Sequence, residues 1–453
     1  MKPREEFGGL NAAEYMFEKA LLALKDHDRQ RALDFLANCI KADPNHPEAW
    51  MIRGNVEHAE GRFLNALLHH DRAVGLAPQK YDAWNNRGLA FADLGLFASA
   101  KQCFEKSISI VDAYEARMNL ANMYCHVMDL EAAEAQYRAA LAGRAQDYEG
   151  AIQLGLTLLG QGRWKEGFEY YETRLLNSPH PPKEERFPRW RGESISNKSV
   201  LLWPEQGIGD EIMMMRFAID VAALGADVVL EARPPMYRAA KTIASGRNIS
   251  VIVQHDDPGR VDYQCALTDV PMVLGIEPAT IPHREGYLPL PFKLQDHRKF
   301  NVGLCWNSGR RPLQPEVEAS FKTKSIPLEW LAPLQQKGVQ LYSLQKQHGD
   351  YALMRKMGIV DCMDQIHDFA DTASFISSLD LVISVDTAVA HMAGAMGRPV
   401  WNFVRFSGYW PWMRETDATQ WYSSMKLYRQ PSLGDWNDPI NRAARDLSEL
   451  VRG

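Results

Sequence analysis

Small and aromatic positions recur with a period of 34 along the first third of the chain: Trp50 and Trp84, Gly54 and Gly88, Gly61 and Gly95, Ala66 and Ala100. The frame continues through Ala121, Ala133 and Ala140 to Gly155, Gly162 and Gly167, and runs back to Ala20, Ala32 and Pro44. It predicts about five helix pairs between residues 14 and 178. Small residues at the Gly54, Gly88, Ala121 and Gly155 frame let two antiparallel helices approach closely, while Phe91, Phe104, Tyr124, Tyr137 and Tyr171 fill the gaps between successive pairs. Gly61, Gly95 and Gly162 fall where the first helix of a pair must turn, and Pro44 and Pro78 where a helix must stop. The copies at 47–80 and 81–114 fit best; in the copy at 115–147, Met128 and Asp112 stand where the frame prefers glycine and proline.

The pattern changes after residues 177–198, a connector-like stretch with four prolines and many charges. Beyond it, short β-rich runs alternate with helix-length segments: SVLLW at 199–203, VVLEA at 228–232, ISVIV at 249–253, NVGLCW at 301–306, VQLYSL at 339–344, LVISV at 381–385 and PVWNFV at 399–404. This alternation predicts parallel sheets covered on both sides. The expected class is α followed by α/β: a helical solenoid over 1–178, a linker over 179–198, and two Rossmann-like, doubly wound halves at 199–297 and 298–453, the second closed by a C-terminal helix.

The first part resembles the tetratricopeptide repeat family over roughly its first 178 residues. Such arrays present a concave face to peptides or partner proteins. Asn85, Asn86, Asn119 and Asn122, on first helices, are candidates for clamping an extended backbone through their amides, or are simply solvated surface.

Charge narrows the function classes. Lys plus Arg total 51 against 57 Asp plus Glu, a net charge of −6, so no basic excess marks a general nucleic-acid binder. Six dispersed cysteines form no C-x-x-C pair and no zinc-like spacing, which predicts a reducing compartment, no disulfide framework and no structural metal. The charged amino terminus lacks a signal-peptide core and no run is apolar enough to span a membrane. The expectation is a cytoplasmic protein without a membrane span.

Open α/β sheets bind ligands beyond the carboxyl ends of their strands, near the switch in strand order. After SVLLW come Glu205, Gln206, Gly207, Gly209 and Asp210, a strand-to-helix turn whose bare glycines let backbone approach a ligand. It is neither a G-x-G-x-x-G fingerprint nor a P-loop. Asp210 can take an acceptor proton, or merely complement the helix dipole. After LVISV come Asp386, Thr387, Ala388 and His391; either of the first two can cap a helix whose small-residue start leaves amides open to an anion. An ordinary cap and a core histidine are the alternatives. Arg310, Arg311, Lys322 and Lys324 suit a leaving diphosphate, while Asn307 and Ser308 at one strand end and Gln345 after the next can hydrogen-bond a sugar or base. Nothing in the pattern calls for a metal ion or a bound cofactor.

Two motifs, Gly207-Ile208-Gly209-Asp210 and Asp386-Thr387 with His391 followed by Gly397-Arg398-Pro399, make the last 255 or so residues resemble a GT-B glycosyltransferase. The pattern is similar to that of the ADP-heptose:lipopolysaccharide heptosyltransferases and their repeat-fused relatives. The resemblance implies Asp210 as the acceptor's base, Asp386, Thr387 and His391 as ligands of the donor's diphosphate and ribose, and Lys324 as a phosphate contact. This chain has Ala388 where those enzymes usually have glycine, and Glu205-Gln206 where they show small polar residues. The repeat fusion also resembles the O-linked N-acetylglucosamine transferases, which act on proteins. The expected function is therefore metal-independent transfer from a nucleotide sugar to a protein or peptide held on the repeats. The alternative is a repeat scaffold whose transferase-like domain has lost turnover.

Overall fold

Trp50 and Trp84 explain why the repeat frame contains a tryptophan. Each indole Nε1 donates to the carbonyl of the proline six residues earlier, Pro44 and Pro78, both at 2.9 Å, and so fastens a helix start to the turn before it. The computed structural model describes residues 11–144, 146–176, 186–288, 299–309, 323–346, 351–413 and 417–452. Among them ten helices form five hairpins: α1 and α2 (Ala12–Lys25, Arg29–Ala42), α3 and α4 (Pro47–Ala59, Phe63–Leu76), α5 and α6 (Tyr81–Asp93, Phe97–Ile110), α7 and α8 (Tyr114–His126, Leu130–Leu141), α9 and α10 (Tyr148–Gly160, Trp164–Tyr171). The chain divides into two compact units, Met1–Leu154 and Gly155–Gly453, so α10 belongs to the second.

In the first unit the small positions act as read. A Cβ on Gly54 would meet the His70 ring at 2.5 Å, and one on Gly88 the Phe104 ring at 2.6 Å. Phe104 therefore fills a gap inside its own hairpin, and it also joins Leu120 and Met123 of the next. Gly61 and Gly95 turn with φ of +73° and +74°; at the corresponding places His27 and Met128 adopt φ of 60°, the left-handed region that favours glycine. Asn11, Asp28 and Asp129 cap α1, α2 and α8 through their side chains.

The second unit contains two wholly parallel sheets. The first, in order β3-β2-β1-β4, comprises β1 (Ser199–Trp203), β2 (Asp227–Ala232), β3 (Ile249–Val253) and β4 (Tyr263–Ala266). The second, in order β10-β9-β8-β5-β6-β7, comprises β5 (Phe300–Cys305), β6 (Val339–Ser343), β7 (Val360–Asp361), β8 (Leu381–Val385), β9 (Val400–Val404) and β10 (Met425–Arg429). In chain order their helices are α11 (Ile208–Met214), α12 (Phe217–Ala223), α13 (Tyr237–Ala244), α14 (Val270–Val273), α15 (Tyr351–Lys356), α16 (Phe369–Ser377), α17 (Ala388–Ala395) and α18 (Asn437–Arg452). All seven expected strands are present; β4, β7 and β10 are additional. The strand order reverses between β1 and β4 in one sheet and between β5 and β8 in the other. The loops after β1, β5 and β8 thus leave from switch points, where sheet geometry opens a crevice. Apolar side chains of β5 and β8 bury against Leu328, Leu331 and α18.

Candidate functional site

The turn after β1 is fixed by buried charge. Glu211, on the first turn of α11, accepts the Arg233 backbone amide at 3.0 Å and its guanidinium at 2.7 Å, and Arg233 also donates to the Gln206 carbonyl. Glu205 is paired with Arg174 at 2.6 Å, and Arg174 with Asp269 at 2.7 Å. Glu205 and Gln206 therefore brace the turn. Gly207 is extended, and its amide donates to Asp210 Oδ2 at 3.1 Å.

Gly209 explains how the two motifs meet. A Cβ there would lie 2.9 Å from His391 Cδ2, with Ala388 Cα at 3.8 Å, so only glycine lets α11 lie this close to α17. Asp210 is half-buried at this junction. Loss of hydration raises its carboxyl pKa above the ordinary value, against the Tyr409 hydroxyl that donates to Oδ1 at 2.6 Å; Glu205 and Asp386 raise it further and Lys324 opposes them. Such a carboxylate is a better proton acceptor than a solvated one.

Across the junction Asp386 is 9% exposed, with Lys324 Nζ at 3.0 Å from Oδ2 and the Trp412 indole donating to Oδ1 at 3.0 Å. Burial opposes its charge, but Lys324 overrides this and holds the carboxyl below the ordinary range. Thr387 is the residue before α17, yet its hydroxyl pairs with Ser384 at 2.9 Å. Neither Asp386 nor Thr387 makes the expected cap, because both side chains are engaged elsewhere; the first-turn amides of α17 carry no side-chain cap.

His391 is 3% exposed, shares a hydrogen bond of 3.0 Å with the Tyr422 hydroxyl, and stacks on Trp412 with ring centroids 5.1 Å apart. Burial depresses its pKa to about 4, so the imidazole is neutral near pH 7. A neutral His391 offers a neighbouring group a hydrogen bond and a ring face rather than a positive charge.

The Gln345 side-chain oxygen accepts the Asn307 amide at 2.8 Å and its nitrogen donates to the Lys346 carbonyl at 3.2 Å, so it splints the β5 and β6 ends. Ser308 lies on the same loop, its amide donating to Ser325 at 3.2 Å. Arg310, Arg311 and Lys322 lie outside the described residues. Sequence reasoning missed Arg405, one residue past β9, whose Nη1 donates to Thr323 Oγ1 at 3.2 Å and whose charge faces Asp386. It also missed Tyr409 and Trp412, which the tryptophan-rich run disguised as packing. Arg405 was findable by the rule that located the other loops, its place beyond a strand's carboxyl end.

In the first unit, Asn86 Nδ2 donates to Asn55 at 2.9 Å and Asn119 Nδ2 to Asn85 at 2.9 Å. Asn85 Nδ2 donates to Asn86 at 3.3 Å, and Asn122 accepts the Tyr137 hydroxyl at 2.5 Å. Asparagines of successive first helices thus form a ladder, with Asn85 itself buried. Among the described residues no helix is long and apolar enough to cross a membrane.

Comparison with known proteins gives two matches to tetratricopeptide repeat family models, at residues 17–80 and 81–110. Protein FlbA of Caulobacter vibrioides is 26% identical, the alignment covering 99% of this chain and 83% of that protein. A UDP-N-acetylglucosamine--peptide N-acetylglucosaminyltransferase of Giardia intestinalis is 30% identical over 91 residues, 20% of this chain and 6% of the relative. Among solved structures, MamA matches 35% of this chain and 92% of its own at 19% identity, with a TM-score of 0.33. The N-terminal region of the chain is built of tetratricopeptide repeats, followed by an α/β region of parallel sheets.

Proposed function

We propose that the α/β region transfers a sugar from a nucleotide sugar to a protein or peptide recruited by the repeats. One observation carries the reading: the loops at the two sheet switch points meet, with Gly209 packed against His391 and Asp210 beside the Asp386–Lys324 pair. A base and an anion-stabilising helix terminus are what the reaction needs. In the proposed step the acceptor hydroxyl gives its proton to Asp210 as its oxygen bonds to the anomeric carbon. The anomeric carbon–oxygen bond to the diphosphate breaks, and the electron pair leaves with the nucleoside diphosphate. Amides of α17 and the cations Lys324 and Arg405 face that developing charge, with Thr387, Ala388, Asn307 and Ser308 lining the donor side. On the repeats, the Asn85, Asn86, Asn119 and Asn122 amides, each with hydrogen-bonding capacity left over, would hold the acceptor's backbone.

The test is turnover of a panel of nucleotide sugars, with mass spectrometry of co-purifying proteins to find the acceptor. Asp210→Asn should abolish transfer while donor binding persists; transfer at the wild-type rate would discard the base assignment. The close seat of Gly209 on His391, together with the repeats, favours a second reading, a scaffold without turnover. Thermal shift separates the two: a nucleotide at about 100 times its Kd should stabilise the transferase by about 2.7 kcal/mol.

A further inference from the structure

One short segment touches both motifs. Tyr409, Trp410, Pro411 and Trp412 follow β9 and its loop; the Tyr409 hydroxyl reaches Asp210 Oδ1 at 2.6 Å, and three residues later the Trp412 indole reaches Asp386 Oδ1 at 3.0 Å. The Trp412 ring lies along His391, the interplanar angle being 27°. Trp410, between them, points the other way into an aromatic seat. It meets Trp164 of α10 edge-on at 5.5 Å, Phe168 at 5.8 Å and Trp421 at 5.8 Å. Arg429 donates to the Trp412 carbonyl at 2.7 Å and fixes the far end. Buried aromatic contacts of this kind hold the segment in place from one side, while its two donors meet the two carboxylates on the other.

We propose that Tyr409–Trp412 is a positioning clamp for both carboxylates. The Tyr409 hydroxyl holds Asp210 in the orientation from which it takes the acceptor's proton, and the Trp412 indole holds Asp386 and the His391 ring beside the start of α17. The assignment rests on the transfer reading above for its function but on the two hydrogen bonds for its geometry. Tyr409 is half-buried beside an anion, which keeps its phenol protonated and donating. Besides the neutral Tyr409 hydroxyl, the groups facing Asp210 are the charged Glu205, Asp386 and Lys324, and Tyr171 at the end of α10 stands near it as well. Without the phenol hydroxyl, only Lys324 among these favours the carboxylate.

The experiment compares Tyr409→Phe and Trp412→Phe with the wild type, each removing one donor and keeping a ring. The readouts are the pH profile of kcat/KM for the nucleotide sugar that the wild type turns over and, independently, the carboxyl 13C titration of Asp210, assigned by its loss in Asp210→Asn. Tyr409→Phe should move the acid limb up by about half a pH unit or more and lower kcat about tenfold with the donor KM unchanged. Trp412→Phe should raise donor KM about threefold or more and leave the acid limb where it is. Replacing Tyr409 by 3-fluorotyrosine, a stronger donor, should move the limb down, which keeps the test open if the phenylalanine variant fails to fold. An acid limb and kcat indifferent to Tyr409 would overturn the clamp. If the wild type turns over no nucleotide sugar, the transfer reading fails by itself; the clamp then stands on an Asp210 titration shifted up in Tyr409→Phe and falls on one that stays put.

Discussion

His70 is the most sharply testable residue of the repeat region. It is fully buried on α4, its ring set against Gly54, and neither ring nitrogen has a hydrogen-bond partner. In the next hairpin Phe104 takes the same place against Gly88: a Cβ added at Gly88 would lie 2.6 Å from its ring, as one added at Gly54 would lie 2.5 Å from His70. Burial lowers the His70 pKa from 6.5 to about 4, with His58 and His69 adding to the effect. Above pH 6.5 the imidazole is neutral in folded and unfolded chains alike, and its contribution does not vary with pH. As the pH falls, the unfolded chain takes up a proton that the folded one refuses, so stability drops and levels off below about pH 4. The loss is about 2 kcal/mol at pH 5 and about 3 kcal/mol at its limit. His70→Phe should therefore flatten the pH dependence by these amounts. At pH 8 it should also stabilise by about 1 kcal/mol, because two buried, unpaired nitrogens disappear. Urea unfolding followed by circular dichroism at pH 8 and pH 5 measures both effects. A variant that is less stable at pH 8, or that keeps the wild-type difference between the two pH values, would refute the reasoning.

Other substitutions probe separate links. Met128→Gly should raise the unfolding midpoint of the repeats, with relief of left-handed strain outweighing glycine's extra unfolded-state entropy by about 1 kcal/mol; a lower midpoint contradicts it. Gly209→Ala should cost about 1–3 kcal/mol of stability by thrusting a methyl group at His391, and an unaltered melting curve would mean that α11 and α17 do not lie as described. Replacing Asn85, Asn86, Asn119 and Asn122 by alanine should weaken capture of the co-purifying partner, read by pull-down and mass spectrometry; undiminished capture removes the ladder from recognition.

The repeat region was legible because its signal is local and periodic. A Gly54 or Gly88 needs only the next helix of its own hairpin to explain it. Strands such as Leu381–Val385, buried along their whole length, announce themselves as unbroken apolar runs. β4 does not, since its Gln264 is buried only because it accepts a hydrogen bond from the Trp203 indole at 2.6 Å. β10, MKLYR, sets an exposed Lys426 between buried Met425 and Leu427 and ends on Arg429, so no unbroken apolar run marks it. The two motif loops could be chosen from strand ends, but the bond joining Tyr409 to Asp210 spans 199 residues, and no local pattern encodes such a pairing. The splint made by Gln345 was hidden for the same reason: its partner Asn307 lies 38 residues away, on another strand's loop.

The central claim is that the junction of α11 and α17 binds a nucleoside diphosphate. Calorimetric titration of ADP, GDP, UDP, CDP and dTDP into the wild type, Asp210→Asn and His391→Ala tests it most directly. One nucleotide should bind the wild type saturably, bind Asp210→Asn with the same affinity, and bind His391→Ala about tenfold or more weakly, a loss of about 1.4 kcal/mol. Absence of saturable heat for every nucleotide, or a Kd indifferent to His391, would contradict the account.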